Sequence, residues 1–399
     1  MKQKKIVIYV SRYPGYSETF IMSKFEKLTS IFNVILYSAA EQDSRAEVGI
    51  NLKAKVRFGH AISPRWKPVV FYPFLLLRSF LMRPFKTIRY FIKGINLCGI
   101  SILKKFYFDC ELILISPDLI HFEFGALAVG KTYLKEILNC KIAVSFRGYD
   151  INFSGLEDPA FYKDVWLKAD AVHVLGQDLW KRALKRGCPP EMRHFLIPPA
   201  IDLNFFDILK VPPQIERENK KNYQLLCVGR LEWKKGYEFT FKALQILKTK
   251  GINFKCRIVG IGEYLEALTF CRHQLGLEQE IVFLGKIGAE EVRREMLKAD
   301  IFIHGAVSEG FCNAVLEAQA MEIPVVTTDA DGLAENIEND VTGFVVGRRD
   351  PEAMAEKILK LIQNPEMAIN MGKKGRCRII KYFKIENQIE SFKKFYENI

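Results

Sequence analysis

Short apolar runs alternate with longer amphipathic ones along most of this chain, an order that leaves few folds open. Runs of this kind suit strands buried on both faces, and strands separated by helices pair in parallel. In the first half the strand candidates are residues 5–10, 33–37, 112–116 with 119–121, 142–146, 171–174 and 194–197. In the second half they are residues 224–228, 255–259, 281–284, 301–304, 324–327 and 344–346, with helical runs between them at 237–248, 290–297 and 314–321. The chain therefore reads as α/β, with a parallel sheet in each half.

A length of 399 residues is more than one core usually accommodates. The Pro-rich stretch PPAID, followed by the charged VPPQIERENKKN, marks the break. The expected units are an N-terminal domain over 1–200, a linker over 200–222 and a C-terminal domain over 223–380. Residues 381–399 read as one amphipathic helix able to pack back on the N-terminal domain. Open parallel sheets bind ligands beyond the C-terminal ends of their strands. Two such domains facing each other would hold a donor and an acceptor in the cleft between them.

Composition removes several classes. The nine cysteines contain no CxxC pair and no metal-ligand spacing, which fits reduced thiols in a cytoplasmic protein. The first apolar run is too short for a signal-peptide core, and residues 69–77, interrupted by Pro73, are too few to span a bilayer. Of the net charge of +13, residues 52–108 carry 12 Lys and Arg and no Asp or Glu, so the rest is near neutral (13 − 12). Aromatics and leucines interleave with those cations, a mixture suited to an anionic membrane surface. A solvated basic helical face is the plainer explanation. Nucleic acid ranks last, because no nucleic-acid-binding motif accompanies the charge.

Polar residues collect at the predicted strand ends. In EGFCNAVLE, Glu309 and Glu317 stand eight positions apart around a probable helix start. A helix N-terminus offers unpaired N–H groups and a positive dipole end, so phosphate binds there readily. With the helix starting near Asn313, Glu317 lies about 6 Å further along the axis. That offset suits a nucleoside diphosphate, with its sugar at Glu309 and its ribose at Glu317. In GRLEWKKG, Arg230 and Lys235 flank a turn and can clamp a diphosphate from two sides. Gly260 with Gly262, and Gly285 with Lys286 and Ile287, are turn positions where backbone can approach a ligand or base. In the first half, Gly15, Ser17 and Glu18 form a loop after the first strand, with Ser17 a candidate helix cap. His121 and Glu123 end one strand, and Arg147 and Asp150 end the next.

With those pieces in order, the chain resembles the retaining GT-B glycosyltransferases of family four, the group 1 glycosyl transferases. SETFI, IPPAID, GRLEWKKG and EGFCNAVLE match that family's pattern in sequence order, and SETFI further resembles bacterial exopolysaccharide and lipopolysaccharide enzymes. The resemblance implies two Rossmann-like domains and a nucleotide-sugar donor. It also implies a lipid-linked or saccharide acceptor, no metal cofactor, and work at the inner face of the cell membrane. It assigns Arg230 and Lys235 to the diphosphate and Glu317 to the ribose. Glu309, with the backbone of Phe311, Cys312 and Asn313, falls to the donor sugar. His121, Glu123 and Arg147 are the candidate catalytic groups of the first domain, with Gly15, Ser17, Glu18 and Asp150 on the acceptor side. The chain departs from many relatives at Glu123 and Arg147, where they carry histidines. A nucleotide-sugar epimerase of the same build, or a non-catalytic basic protein docking on membrane, are the alternatives.

Overall fold

The structure is a computed structural model that describes residues 3–13, 19–40, 55–60, 66–208 and 222–399. It divides into two compact units, Met1–Ile197 with Ile389–Ile399, and Pro198–Gln388.

The first unit holds seven strands: β1 (Lys5–Val10), β2 (Asn33–Ser38), β3 (Val56–Phe58), β4 (Leu119–Phe122), β5 (Lys141–Phe146), β6 (Ala171–Val174) and β7 (His194–Leu196). They form one sheet in the order β3-β2-β1-β4-β5-β6-β7, every pair parallel. Its longer helices are α1 (Thr19–Leu28), α2 (Trp66–Met82), α3 (Pro84–Cys98) and α4 (Ser101–Ile115). Four short ones follow, α5 (Gly125–Ala128), α6 (Leu134–Leu138), α7 (Gly148–Asn152) and α8 (Lys163–Lys168), then α9 (Gln177–Lys185). Ile6, Val7, Ile8, Leu119 and Ile120 are wholly enclosed, as central parallel strands covered on both faces must be.

The second unit is a six-stranded parallel sheet of β8 (Tyr223–Val228), β9 (Phe254–Val259), β10 (Ile281–Gly285), β11 (Ile301–His304), β12 (Val325–Thr328) and β13 (Gly343–Val346). Their order is β10-β9-β8-β11-β12-β13. Its helices are α10 (Tyr237–Thr249), α11 (Leu265–Gln274), α12 (Ala289–Lys298), α13 (Asn313–Ala320), α14 (Pro351–Gln363) and α15 (Pro365–Tyr382). The last helix, α16 (Ile385–Glu397), ends in the first unit. In each sheet the strand order reverses at one point, between β1 and β4 and between β8 and β11. Such switch points open a crevice beyond the strand ends, where doubly wound folds bind ligands.

The α/β reading holds in both halves, with three local corrections. Residues 112–116 are not a strand. They finish α4, which Ser116 closes in a left-handed conformation (φ 50°) with its N–H on the Leu112 carbonyl at 2.8 Å. An apolar run such as ELILI is buried equally well as helix or strand, and periodicity does not separate the two. The short edge strand β3 carried no usable signal. Residues 381–399 are not one helix: Phe383 ends α15, and a parallel bridge from Ile201 to Lys384 precedes α16. Among the described residues no helix is long and apolar enough to cross a membrane.

Candidate active site

In the second unit the loops after β8 and β11 meet at the switch point. After β8 the chain runs through Arg230 into a single 3₁₀ turn, Trp233–Lys235, and then Gly236. Gly236 is left-handed (φ 58°), and a Cβ there would stand 2.2 Å from the Gly305 carbonyl oxygen, so only glycine fits. The loop after β11 is pinned alongside, since Val307 N–H donates to the Lys234 carbonyl at 2.8 Å. This zipper aims the Lys235 ammonium at the Glu309 carboxylate, and the two form an ion pair.

The pair is largely enclosed, and each partner changes the other's titration. Burial pushes the Glu309 carboxyl up, but Lys235 and His304 outweigh it and hold the group well below the usual carboxylate range. Burial pulls Lys235 down, and Glu309 more than offsets it. His304, at the end of β11, places Nε2 3.6 Å from Glu309 and Nδ1 3.9 Å from the Cys312 sulfur. Burial alone would lower His304, but those two neighbours bring it to about 8. At neutral pH the carboxylate therefore sits between two cations.

Cys312 precedes α13, whose first turn no side chain caps. Its leading N–H groups are thus available to an anion, with the positive end of the helix dipole behind them. What fixes this turn is Asn336, which the sequence reading did not single out. Its Oδ1 accepts the Cys312 N–H at 3.2 Å and its Nδ2 donates to the Cys312 carbonyl at 2.8 Å. Gln319 and Arg378 in turn hold the Asn336 carbonyl at 2.9 and 2.7 Å. The Glu317 carboxylate, one turn into α13, has no ion-pair or hydrogen-bond partner among the described residues, and burial raises it to about 7.

Other expected donor residues are arranged less directly. Arg230 is 62% exposed and pairs with Glu232 at 2.6 Å, while its charge still acts on Lys235. A Cβ at Gly260 would lie 2.0 Å from the Gly229 carbonyl oxygen, so that glycine serves the approach of two backbone segments. Ile287 and Phe311 are half-buried and pack on the core of the unit, Phe311 against Phe383. His304, Glu309 and Cys312 also offer three potential metal ligands within 4.8 Å of one another. Of these, the Glu309 carboxylate is engaged by the Lys235 ammonium.

In the first unit Glu123 is wholly buried between Lys24 and Arg147, whose Nη2 donates to it at 2.9 Å. Burial opposes ionisation, yet Lys24 and His121 with Arg147 keep the carboxyl far below its ordinary range. His121 is wholly buried too, and both its nitrogens are taken. A carbonyl can only accept, so the Ile197 oxygen (2.8 Å) fixes His173 as Nε2–H. Ser145 then donates to His173 Nδ1, His121 Nε2–H donates to Ser145, and Tyr396 donates to His121 Nδ1, each at 2.7 Å. That run of donors is the one that neutral rings give. Burial lowers both, His121 well below its ordinary value and His173 to about 3. His121 is thereby a pin that holds α16 on the ends of β4, β5 and β6. Asp150 caps α7, accepting the Arg147 and Ala126 N–H groups at 3.0 Å. Lys24, Ser145, His173 and Tyr396 were not foreseen. Gly15, Ser17 and Glu18 lie outside the described residues.

Sequence comparison decides the family at this point. Residues 212–378 match the model of the family Glycosyl transferases group 1. The second unit carries a group 1 glycosyl transferase domain. The putative colanic acid biosynthesis glycosyltransferase WcaL of Escherichia coli is 29% identical over 257 residues, 62% of either protein, so the chain spans about three fifths of that relative's length. The amylovoran biosynthesis glycosyltransferase AmsK of Erwinia amylovora is 25% identical over 402 residues, covering 94% of this chain and 95% of AmsK. The crystal structure of HepE from Anabaena in complex with UDP superposes with a TM-score of 0.74 over 99% of this chain and 100% of HepE, at 16% identity. At that identity the likeness concerns the fold, which is GT-B. The group 1 match includes both the Lys235 turn and the Glu309 loop.

Proposed function

We propose that the chain is a retaining, metal-independent glycosyltransferase that moves a sugar from a nucleotide-sugar donor to a lipid-linked or saccharide acceptor in bacterial cell-surface polysaccharide biosynthesis. The observation that carries this reading is the uncapped start of α13, flanked by Lys235, Glu309 and Glu317 at the β8/β11 switch point. There the donor diphosphate lies on the α13 N–H groups. The helix dipole and the Lys235 and Arg230 cations neutralise the charge that builds as the sugar–phosphate bond breaks, a role for which a divalent metal is otherwise used. Glu309, already ionised, faces the donor sugar, and the unpartnered Glu317 accepts from the ribose hydroxyls. The first unit supplies the acceptor side through Arg147, held by the Lys24–Glu123 network, while His121 positions rather than reacts. The group 1 match and the polysaccharide enzymes among the relatives support the reading. With a lipid-linked acceptor the protein works peripherally at the inner face of the cell membrane.

Titration calorimetry with a panel of nucleoside diphosphates tests the donor site. Binding of one of them, weakened at least about tenfold by Lys235→Ala, is expected from a lost charge-assisted contact. Affinity unchanged by that substitution sinks the assignment.

A further inference from the structure

The first unit leaves a broad apolar face uncovered among the described residues. On α2, Val70, Phe74, Leu77 and Leu81 recur at helical spacing and are all exposed, Leu81 by 76%. On α3, Phe85, Ile88 and Ile92 do the same, Phe85 by 86%. Isolated exposed apolar side chains are ordinary, but contiguous stripes on two adjacent helices mark an interaction surface.

The opposite faces of these helices are firmly held. Tyr90 of α3 and Tyr133 both donate to the buried Asp109 carboxylate, at 2.7 and 2.6 Å. Arg78 of α2 pairs with Glu111 at 2.5 Å, and Thr87 donates to the Ser79 carbonyl at 3.0 Å. A Cβ at Gly94 would stand 2.3 Å from Ile102 of α4, so α3 and α4 lie as close as glycine permits. The apolar stripes cannot turn inward, because the inward face is already committed.

Charge identifies what covers them. From residue 66 to 108 there is no acidic residue, and Arg83 between the two helices, Lys93 of α3 and Lys104 of α4 are exposed, with Lys86 of α3 half-buried. In a symmetric pair of copies, the same patch meets itself and those cations would face one another. An anionic lipid surface instead accepts the apolar side chains among its acyl chains and the cations among its phosphates.

We propose that the outer face of α2 and α3 docks on an anionic membrane, with both helices lying in its plane and the Leu81–Phe85 corner entering the acyl boundary. This deepens the membrane placement in the functional reading above, yet rests on α2 and α3 and not on the donor site. Because apolar insertion contributes alongside charge, binding outlasts the salt that screens a purely basic patch.

The test is flotation of the full chain with vesicles of phosphatidylglycerol and phosphatidylcholine, against phosphatidylcholine alone, at low and high salt. The chain is expected to float with the anionic vesicles and to remain partly bound at high salt. Leu81→Glu with Phe85→Glu is expected to cut the bound fraction at least about tenfold while nucleotide affinity stays unchanged. Release of all wild-type protein by salt would reduce the face to a basic patch and overturn the insertion. Absence of flotation with donor binding intact overturns the docking and leaves the donor site standing. A wild-type dimer by light scattering that the double variant makes monomeric would assign the face to a second copy, again against the proposal.

Discussion

Glu317→Gln separates stability from binding at a single carboxyl. In the folded chain burial raises this group from 4.5 to about 7 without a compensating partner. Below about pH 4.5 the carboxyl is protonated folded and unfolded, and its titration costs nothing. Between 4.5 and 7 the unfolded chain ionises while the folded one keeps its proton, so stability declines as pH rises. Above 7 the loss is complete. Each tenfold step is about 1.4 kcal/mol, so the full effect is of the order of 3 kcal/mol. Glutamine keeps the shape and removes the titration. The variant should therefore be more stable at pH 8 by up to about 3 kcal/mol, roughly 6–12 °C in Tm for a unit of this size, and gain little at pH 4. The same substitution removes an acceptor for the ribose hydroxyls. It should weaken a nucleoside diphosphate by about tenfold or more, and abolish discrimination against its 2′-deoxy form. Wild-type affinity should fall as pH drops below 7, because a hydroxyl donor prefers the carboxylate. Thermal unfolding across pH, with calorimetry for the two nucleotides, reads both effects. A variant with the wild-type pH slope, or one that still distinguishes ribose from deoxyribose, refutes the reasoning.

Two further outcomes concern the supports of the sites. Glu123→Gln leaves Lys24 enclosed beside Arg147 without a counter-ion, and should destabilise the first unit by about 3–5 kcal/mol in denaturant unfolding. Because the folded Glu123 is depressed, this contribution is present above the ordinary carboxyl range and fades as pH falls below it. Adding Lys24→Met to Glu123→Gln should recover much of the loss, and no recovery would mean that the pair is not what holds the network. Asn336→Ala frees both backbone groups of Cys312. It should weaken nucleotide binding with little change in its dependence on pH, as expected for a residue that positions the α13 turn without touching ligand. A changed pH profile would contradict that role.

The parts of the fold legible in the sequence are those set by local pattern. Buried strands of four to six residues between amphipathic helices announce themselves, and the start of α13 was visible in EGFCNAVLE. The Lys235 and Glu309 positions followed from their places at strand ends. Pairings across long sequence distances left no trace. Lys24 and Glu123 are 99 positions apart, and Tyr396 reaches His121 across 275. Nothing in a phrase such as AVSF or SFKKFY says that its serine at 145 or tyrosine at 396 completes a hydrogen-bond relay. Asn336 was hidden for the same reason, 24 residues beyond the backbone it clamps. The basic segment shows a different limit. Its charge was plain, but periodicity marks an apolar stripe without saying whether the core or the solvent receives it. Only the packing of Tyr90, Thr87 and Gly94 reveals that the stripes of α2 and α3 face outward.

The central claim is that the α13 turn with Lys235 and Glu309 activates a nucleotide sugar. A donor screen is its most direct measurement: the protein is incubated with a panel of nucleotide sugars, with and without a membrane extract as acceptor source, and free nucleoside diphosphate is quantified. The account predicts release from one sugar nucleotide, stimulated by acceptor and insensitive to chelation of divalent metals. It also predicts loss of that release in Glu309→Gln protein that still folds. Release that survives Glu309→Gln unchanged, or that requires a divalent metal, would contradict it.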